Sequence, residues 1–288
     1  MKSSAIFGIL LGFIAIFGSF VWEGGSPATL FLLPAITIVI GGTLAAGLIG
    51  SSFDMFRKIP KLLYIAFSSK QLDWLKVLDQ IIKFSFIARR NGILSLEEYI
   101  NKLDNPFMKK IFMVMIDGID NKNLINIAEY ELQSITERHY NNIGLFTKLG
   151  GYSPTMGIIG TVMGLIATFA SAGSDPNTLI KHIASAFIAT LWGIFMANIV
   201  WLPIADKLKN LHEEEMRLNN LIINGISSIQ MGDTPSVIIL KLSAAFPSSK
   251  QEEISKRLKR IKEQEMNERS NTQENTESRA QVVGYKVG

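Results

Sequence analysis

Apolar residues in this chain gather into four long runs separated by polar segments of unequal length. The first run, Ala5 to Trp22, follows Met1 and Lys2, and the second extends from Leu30 to Gly50. The third, Tyr152 to Ser171, and the fourth, Ile183 to Ala205, are joined by a short polar loop. None of the four contains a charged side chain. With a rise of about 1.5 Å per residue, a helix of about 20 residues crosses a bilayer's hydrocarbon core, so each run reads as a membrane span and the last two as a hairpin. The first run is longer than a signal-peptide core and ends in GSFVWEGG without an A-x-A-like site, which favours an uncleaved span. Gly24, Gly25 and Pro27 supply a reversal, and Pro34 is expected to interrupt the second span.

Small and hydroxylated residues recur within the runs at helical spacing. Gly157, Gly160, Thr161, Gly164, Thr168 and Ser171 fall three and four apart, as do Ala186, Thr190, Gly193 and Ala197. Each helix therefore has one small face, and Gly160 with Gly164 forms a G-x-x-x-G pair. Close helix packing alone accounts for such faces, and so does a polar lining for an ion route. Both readings stay open on these residues.

The polar segments read as helical and extramembrane. Trp74, Val77, Leu78, Ile81 and Ile82 repeat with a helical period before Gly92, and further apolar periods run from Phe107 to Ile116 and from Leu124 to Phe146. No strand-like alternation competes. Asp206 to Gln230 continues the fourth span into water, and Thr234-Pro235 caps a further helix expected to reach about Phe246. Lys250 to Arg269 alternates charge like an exposed helix, and the remaining tail is too poor in apolar residues to fold alone. The expected fold class is an all-α integral membrane protein: four transmembrane helices with a helical cytoplasmic lobe formed by the loop between spans two and three and the C-terminal region. Its segments are 1–50, 51–148, 149–205, 206–270 and a disordered tail at 271–288.

Composition agrees with this division. The 288 residues are 48% hydrophobic and 19% charged, too apolar for an ordinary soluble chain and too polar for one buried throughout in lipid. Of the 29 Lys and Arg residues, only Lys2 and Lys181 lie outside 51–148 and 206–288. The juxtamembrane Arg57, Lys58, Lys61, Lys148, Lys207 and Lys209 put both polar segments and both termini on the cytoplasmic side. The net charge of +4 is explained by this asymmetry, and no basic and aromatic cluster suits a nucleic acid. Without cysteine there is no disulfide or thiolate metal site, and His139, His182 and His212 lack ligand spacing and read as surface or helix-face residues. No P-loop, G-x-S-x-G, H-E-x-x-H or intramembrane Ser-Lys, Ser-His or paired-Asp set is present, so neither an enzyme nor a cofactor is expected.

Two features carry candidate chemistry. Pro154 begins span three and Pro203 ends span four, both at cytoplasmic depth. Proline removes a backbone donor and can bend a helix, leaving a carbonyl to meet a cation or letting the inner ends shift; a functionless kink is the alternative. In ARRNGILSLEEYI at 88–100, Arg89 and Arg90 stand opposite Glu97 and Glu98 across Gly92. Solvated surface explains such a cluster, and so does a docking patch whose charges set orientation and rate.

The runs SPTMGIIGTVMGLI and ATLWGIFMANIVWLPIADKL, with ARRNGILSLE, resemble the MotA/PomA family, the ring-forming stator subunits of the bacterial flagellar motor. The resemblance covers the chain to about residue 270. It implies a multi-pass protein of the cell membrane, five copies of which surround two copies of a MotB-type single-span partner that supplies an ion-carrying aspartate. Pro154 and Pro203 match the family's functional prolines, Arg89 and Glu97 match the charges that engage the rotor protein FliG, and Arg90 and Glu98 adjoin them. Threonine at both 161 and 190 is similar to the sodium-driven PomA-type members, whereas Ala189 stands where some of those place another threonine. The transported ion is therefore Na+ or H+, with the threonines favouring Na+. Because the spans hold hydroxyls and carbonyls but no acid, this chain forms only part of an ion route. An ExbB/TolQ-type energiser, typically with three spans, and a membrane-tethered scaffold without ion flux are the other readings.

Overall fold

The computed structural model describes residues 2–68, 72–171, 175–250, 252–261 and 263, with side chains from Phe7 onward. The tail expected at 271–288 lies outside the described residues. Among those described, every regular element is helical. Helix α1 (Lys2–Trp22) is followed by a turn in which Gly24 takes φ +88°, a conformation that favours glycine. Two short helices, α2 (Pro27–Leu30) and α3 (Leu33–Ile36), a π-helical turn at Thr37–Gly41 and α4 (Gly42–Ile49) make up the second apolar run. The break expected at Pro34 lies instead at Phe31 and Leu32. Pro34 falls in the first turn of α3, where its missing N–H has no intrahelical partner to lose.

The chain continues through α5 (Phe53–Arg57), α6 (Ile59–Ser68), α7 (Trp74–Asn91), a 3₁₀ turn at Ile93–Leu96, α8 (Glu97–Ile100) and α9 (Pro106–Ile116). Helix α10 (Asn121–Ala170) is 50 residues long, so the apolar period ending at Phe146 and the third run are one helix. Helix α11 (Pro176–Phe195) passes through a second π-helical turn, Met196–Trp201, directly into α12 (Leu202–Gln230), the continuation expected from the sequence. In α13 (Pro235–Ser243), Thr234 Oγ1 accepts from the Val237 N–H at 3.3 Å, the cap expected from Thr-Pro. The helix stops at Ser243, short of the expected Phe246. Among the described residues, three stretches are long and apolar enough to cross a membrane: Pro27–Ile49, Asn121–Ala170 and Pro176–Gln230. Phe7–Trp22 is a shorter apolar helix.

The chain divides into two compact units, residues 1–71 with 134–213 and residues 72–133 with 214–288. In the first unit, one cluster packs Leu62 and Ala66 of α6 against Phe146 and Leu149 of α10 and Trp201, Ile204 and Leu208. A second packs Phe17, Leu30 and Val39 against Ile188, Ala189, Trp192 and Phe195 of α11. The broken second run leaves the Leu30 carbonyl without a full helix to satisfy it, and Trp192 Nε1 donates to it at 2.8 Å in a buried bond. Lys148 Nζ donates to the Gly50 carbonyl at 2.8 Å, a cation at the C-terminal end of α4. His139 and His212 meet with their Nδ1 atoms 3.2 Å apart, and His212 is 5% exposed, so these two are packed residues. Burial, then the charge of Arg138, lowers the His139 pKa and favours the neutral ring.

In the second unit, α7 buries Val77, Leu78, Ile81 and Ile82, as its periodicity predicts. Phe84 packs edge-on against Phe112 of α9 at 5.1 Å. Gly225 lets Ile81 approach: a Cβ there would sit 2.8 Å from Ile81 Cδ1. Asn121 Nδ2 donates to Ser227 Oγ at 2.9 Å and to Gln230 Oε1 at 3.1 Å, tying the start of α10 to the end of α12. The Lys76–Asp104 pair, 2.8 Å long, is exposed, so it orients more than it stabilises.

Candidate functional site

The first unit brings the small faces of α10 and α11 into backbone contact. A Cβ built on Gly157 would lie 2.9 Å from the Ala189 carbonyl oxygen and 3.2 Å from Thr190 Cα. On Gly160 it would lie 2.6 Å from Ala189 Cβ, and on Gly164 2.7 Å from Ala186 Cβ. From the other side, a Cβ on Gly193 would lie 2.8 Å from the Ser153 carbonyl oxygen and 3.0 Å from Gly157 Cα. The G-x-x-x-G face thus packs within the chain, because any larger side chain would hold the two backbones apart.

Thr161 and Thr190 lie inside this seam. Their hydroxyls hydrogen-bond to each other across the two helices. Thr161 Oγ1 is also 3.1 Å from its own helix's Gly157 carbonyl oxygen and 3.1 Å from the Ala186 carbonyl oxygen of α11. A hydroxyl has one proton, so Thr161 can donate to only one of these oxygens. The result is a cluster of oxygens without a charged group. Thr168 and Ser171 also bond back to their own helix, to the Gly164 and Ala167 carbonyls at 2.8 Å each, and Ser171 Oγ lies 3.5 Å from His182 Nδ1. Ala189 is fully buried against Gly160, which leaves little room for a larger side chain there.

The two prolines stand closer to the ends of the seam. Pro154 is half-buried inside α10, where it has no N–H for the Gly150 carbonyl. Pro203 is exposed, just beyond the π-helical turn Met196–Trp201. It borders a cavity of about 240 Å³ with Gly8, Ile9, Phe67 and Lys207. The π turn was not read from the sequence, which carries no local signal for it.

The second unit holds the charged patch. Gly92 adopts φ +85° and ends α7, and Ser95 Oγ bonds back to its carbonyl at 2.6 Å. Leu96 and Ile100, 0% and 1% exposed, anchor the returning turn, while Phe84 and the Lys83 ammonium face the Tyr99 ring at 6.3 and 5.6 Å. Arg89, Arg90, Glu97 and Glu98 are all exposed on this anchored turn. Leu94 stands among them 70% exposed, an apolar surface residue that the sequence reading passed over.

Long apolar helices that pack through glycine, carry no acid in their apolar runs and hold paired hydroxyls in the seam define a helical membrane protein. Residues 99–220 match the MotA/TolQ/ExbB proton channel family, and residues 6–91 match the motility protein A N-terminal family. The motility protein A of Bacillus subtilis (strain 168) is 33% identical over 249 residues, covering 86% of this chain and 92% of the relative. The chemotaxis protein PomA of Vibrio alginolyticus is 31% identical over 238 residues, covering 83% and 92%. This chain belongs to the motility protein A (MotA/PomA) family. Two solved structures agree with the fold: the flagellar MotAB stator complex of Bacillus subtilis, at 33% identity, and C. jejuni MotAB, at 27%. Each gives a TM-score of 0.81 and covers 86% of this chain and 97% of the solved one.

Proposed function

We propose that this chain is the ring-forming stator subunit of a bacterial flagellar motor, coupling inward ion flow to rotation through a MotB-type partner. The observation that carries the reading is the oxygen cluster of Thr161, Thr190 and Ala186 inside an acid-free seam. A transported proton needs a titrating acid, and a sodium ion needs a charge-balancing carboxylate among its oxygens, whereas this chain supplies only neutral oxygens. A single-span partner must then bring the carboxylate. Five copies of this chain around two such partners make the assembly, Pro154 and Pro203 let the inner helix ends move as the carboxylate loads and unloads, and Arg89, Arg90, Glu97 and Glu98 engage FliG. The match over residues 6–91 to a motility-specific N-terminal family favours this reading over an ExbB/TolQ-type energiser.

Sodium is the proposed ion, because hydroxyls and a carbonyl suit its shell of oxygens. A proton is the second reading, favoured by Ala189 in place of a third threonine and by the proton-channel family match. Co-expressing the chain with its MotB-type partner in a host lacking its own stator is expected to yield a co-purifying complex and swimming cells. A chain that reaches the membrane yet neither binds such a partner nor supports swimming contradicts the proposal.

The proposed topology is multi-pass, with four spans, both termini and residues 51–148 in the cytoplasm. The chain has no cysteine, so a single cysteine replacing Lys102 is a clean probe. An impermeant thiol reagent is expected to label it only in inverted vesicles. Labelling from outside intact cells overturns this orientation.

A further inference from the structure

Among the described residues, five buried side-chain polar atoms lack a hydrogen-bond partner, and four of them, on Thr43, Ser51, Ser153 and Trp201, belong to the first unit. Thr43 and Ser153 are both 0% exposed. Hydroxyls in apolar helices ordinarily bond back to their own helix, as Thr168 and Ser171 do here. These two do not. The π-helical turn at Thr37–Gly41 lies just before Thr43 and shifts the carbonyls of the preceding turn. A Cβ on Gly42 would meet Met156 Sδ at 2.7 Å, and one on Gly47 would meet Leu149 Cδ2 at 2.7 Å. That antiparallel register sets Thr43 at the level of Ser153. Pro154, the next residue, leaves the Gly150 carbonyl without its helical donor. A Cβ on Gly150 would meet Leu202, the neighbour of Trp201, whose Nε1 is another unpartnered donor.

Two unpartnered hydroxyls, an unpartnered indole N–H and a carbonyl without its helical donor therefore fall at neighbouring levels of the first unit, between the threonine pair and Lys148. Buried polar groups are satisfied by water where protein offers no partner, and such water makes about three hydrogen bonds. We infer that Thr43, Ser153, Trp201 and the Gly150 carbonyl line a hydrated chamber that forms the inner half of the ion route. It hands the ion leaving Thr161 and Thr190 to the cytoplasm. This inference deepens the stator reading and rests on it for the ion, but not for the water.

Two measurements test it separately. In the cysteine-free chain, assembled with its MotB-type partner, Thr43→Cys and Ser153→Cys are each exposed to a small methanethiosulfonate from the cytoplasmic side. Water is needed to form the reactive thiolate, so both are expected to react while Val39→Cys, fully buried in the other apolar cluster, does not. Equal inertness at all three positions overturns the chamber. The double variant Thr43→Val, Ser153→Ala is then compared with wild type for vesicle ion flux and thermal midpoint. Flux is expected to fall about tenfold or more with the midpoint held or raised, because apolar replacements remove unsatisfied groups without removing a packing contact. A double variant that conducts like wild type overturns the ion role, as does a lower midpoint with full flux, the mark of a purely structural water. Reactive cysteines in the variants, together with a wild-type complex that carries no ion, leave the chamber standing and refute the stator reading along with the chamber's ion role.

Discussion

Replacing Gly193 with valine is expected to abolish assembly of the membrane unit, the largest effect of any single substitution in the seam. Even a methyl group there falls 2.8 Å from the Ser153 carbonyl oxygen and 3.0 Å from Gly157 Cα, and neither backbone can rotate away as a side chain would. Overpacking a well-filled core costs about 1–3 kcal/mol, and more when backbone must yield. Helix association in lipid rests on close packing, so separating α10 from α11 also parts Thr161 from Thr190. Yield of folded complex after mild detergent extraction is the measure, with Gly144→Ala as the control. Gly144 meets nothing within 4 Å, so alanine there should be neutral or should stabilise α10 by up to about 1 kcal/mol. A Gly193→Val chain that assembles like the control contradicts the account of the seam.

Reversing the charged patch is expected to stop swimming without affecting the membrane assembly. Arg89 and Glu97 are exposed on a turn whose fold depends on Gly92, Leu96 and Ile100, so Arg89→Glu with Glu97→Lys leaves the anchors in place. Charges at the edge of an interface act mainly through complementarity and association rate. Swimming speed should therefore drop severely while complex yield stays at the wild-type level, and compensating reversals on FliG should restore part of it. Normal swimming by the double reversal reduces the patch to solvated surface.

The seam was the most legible part of the sequence. Residues three and four apart on two antiparallel runs share facing stripes, so the small faces that carry Thr161 and Thr190 could be read from spacing and a short connection alone. The α7 core was equally plain, because Val77, Leu78, Ile81 and Ile82 repeat at the helical period. What could not be read depended on contacts between distant residues. The break at Phe31 and Leu32 is held by Trp192, which supplies the Leu30 carbonyl with a donor from another helix. His139 and His212 look scattered along the chain, and only the register of α10 against α12 joins them. Thr43 and Ser153 resemble any hydroxyl in a membrane helix until the two π turns and the glycine contacts fix which carbonyls they can reach.

The most direct test of the central claim is ion flux in vesicles containing this chain and its MotB-type partner, with sodium varied at fixed pH and membrane potential. Inward flux is expected to rise and saturate with sodium, and to be lost when Thr161 and Thr190 are both replaced by alanine although the complex still forms. Flux that ignores sodium but collapses with a protonophore would contradict the sodium assignment, and full flux in the Thr161→Ala, Thr190→Ala complex would remove the seam from the ion's path.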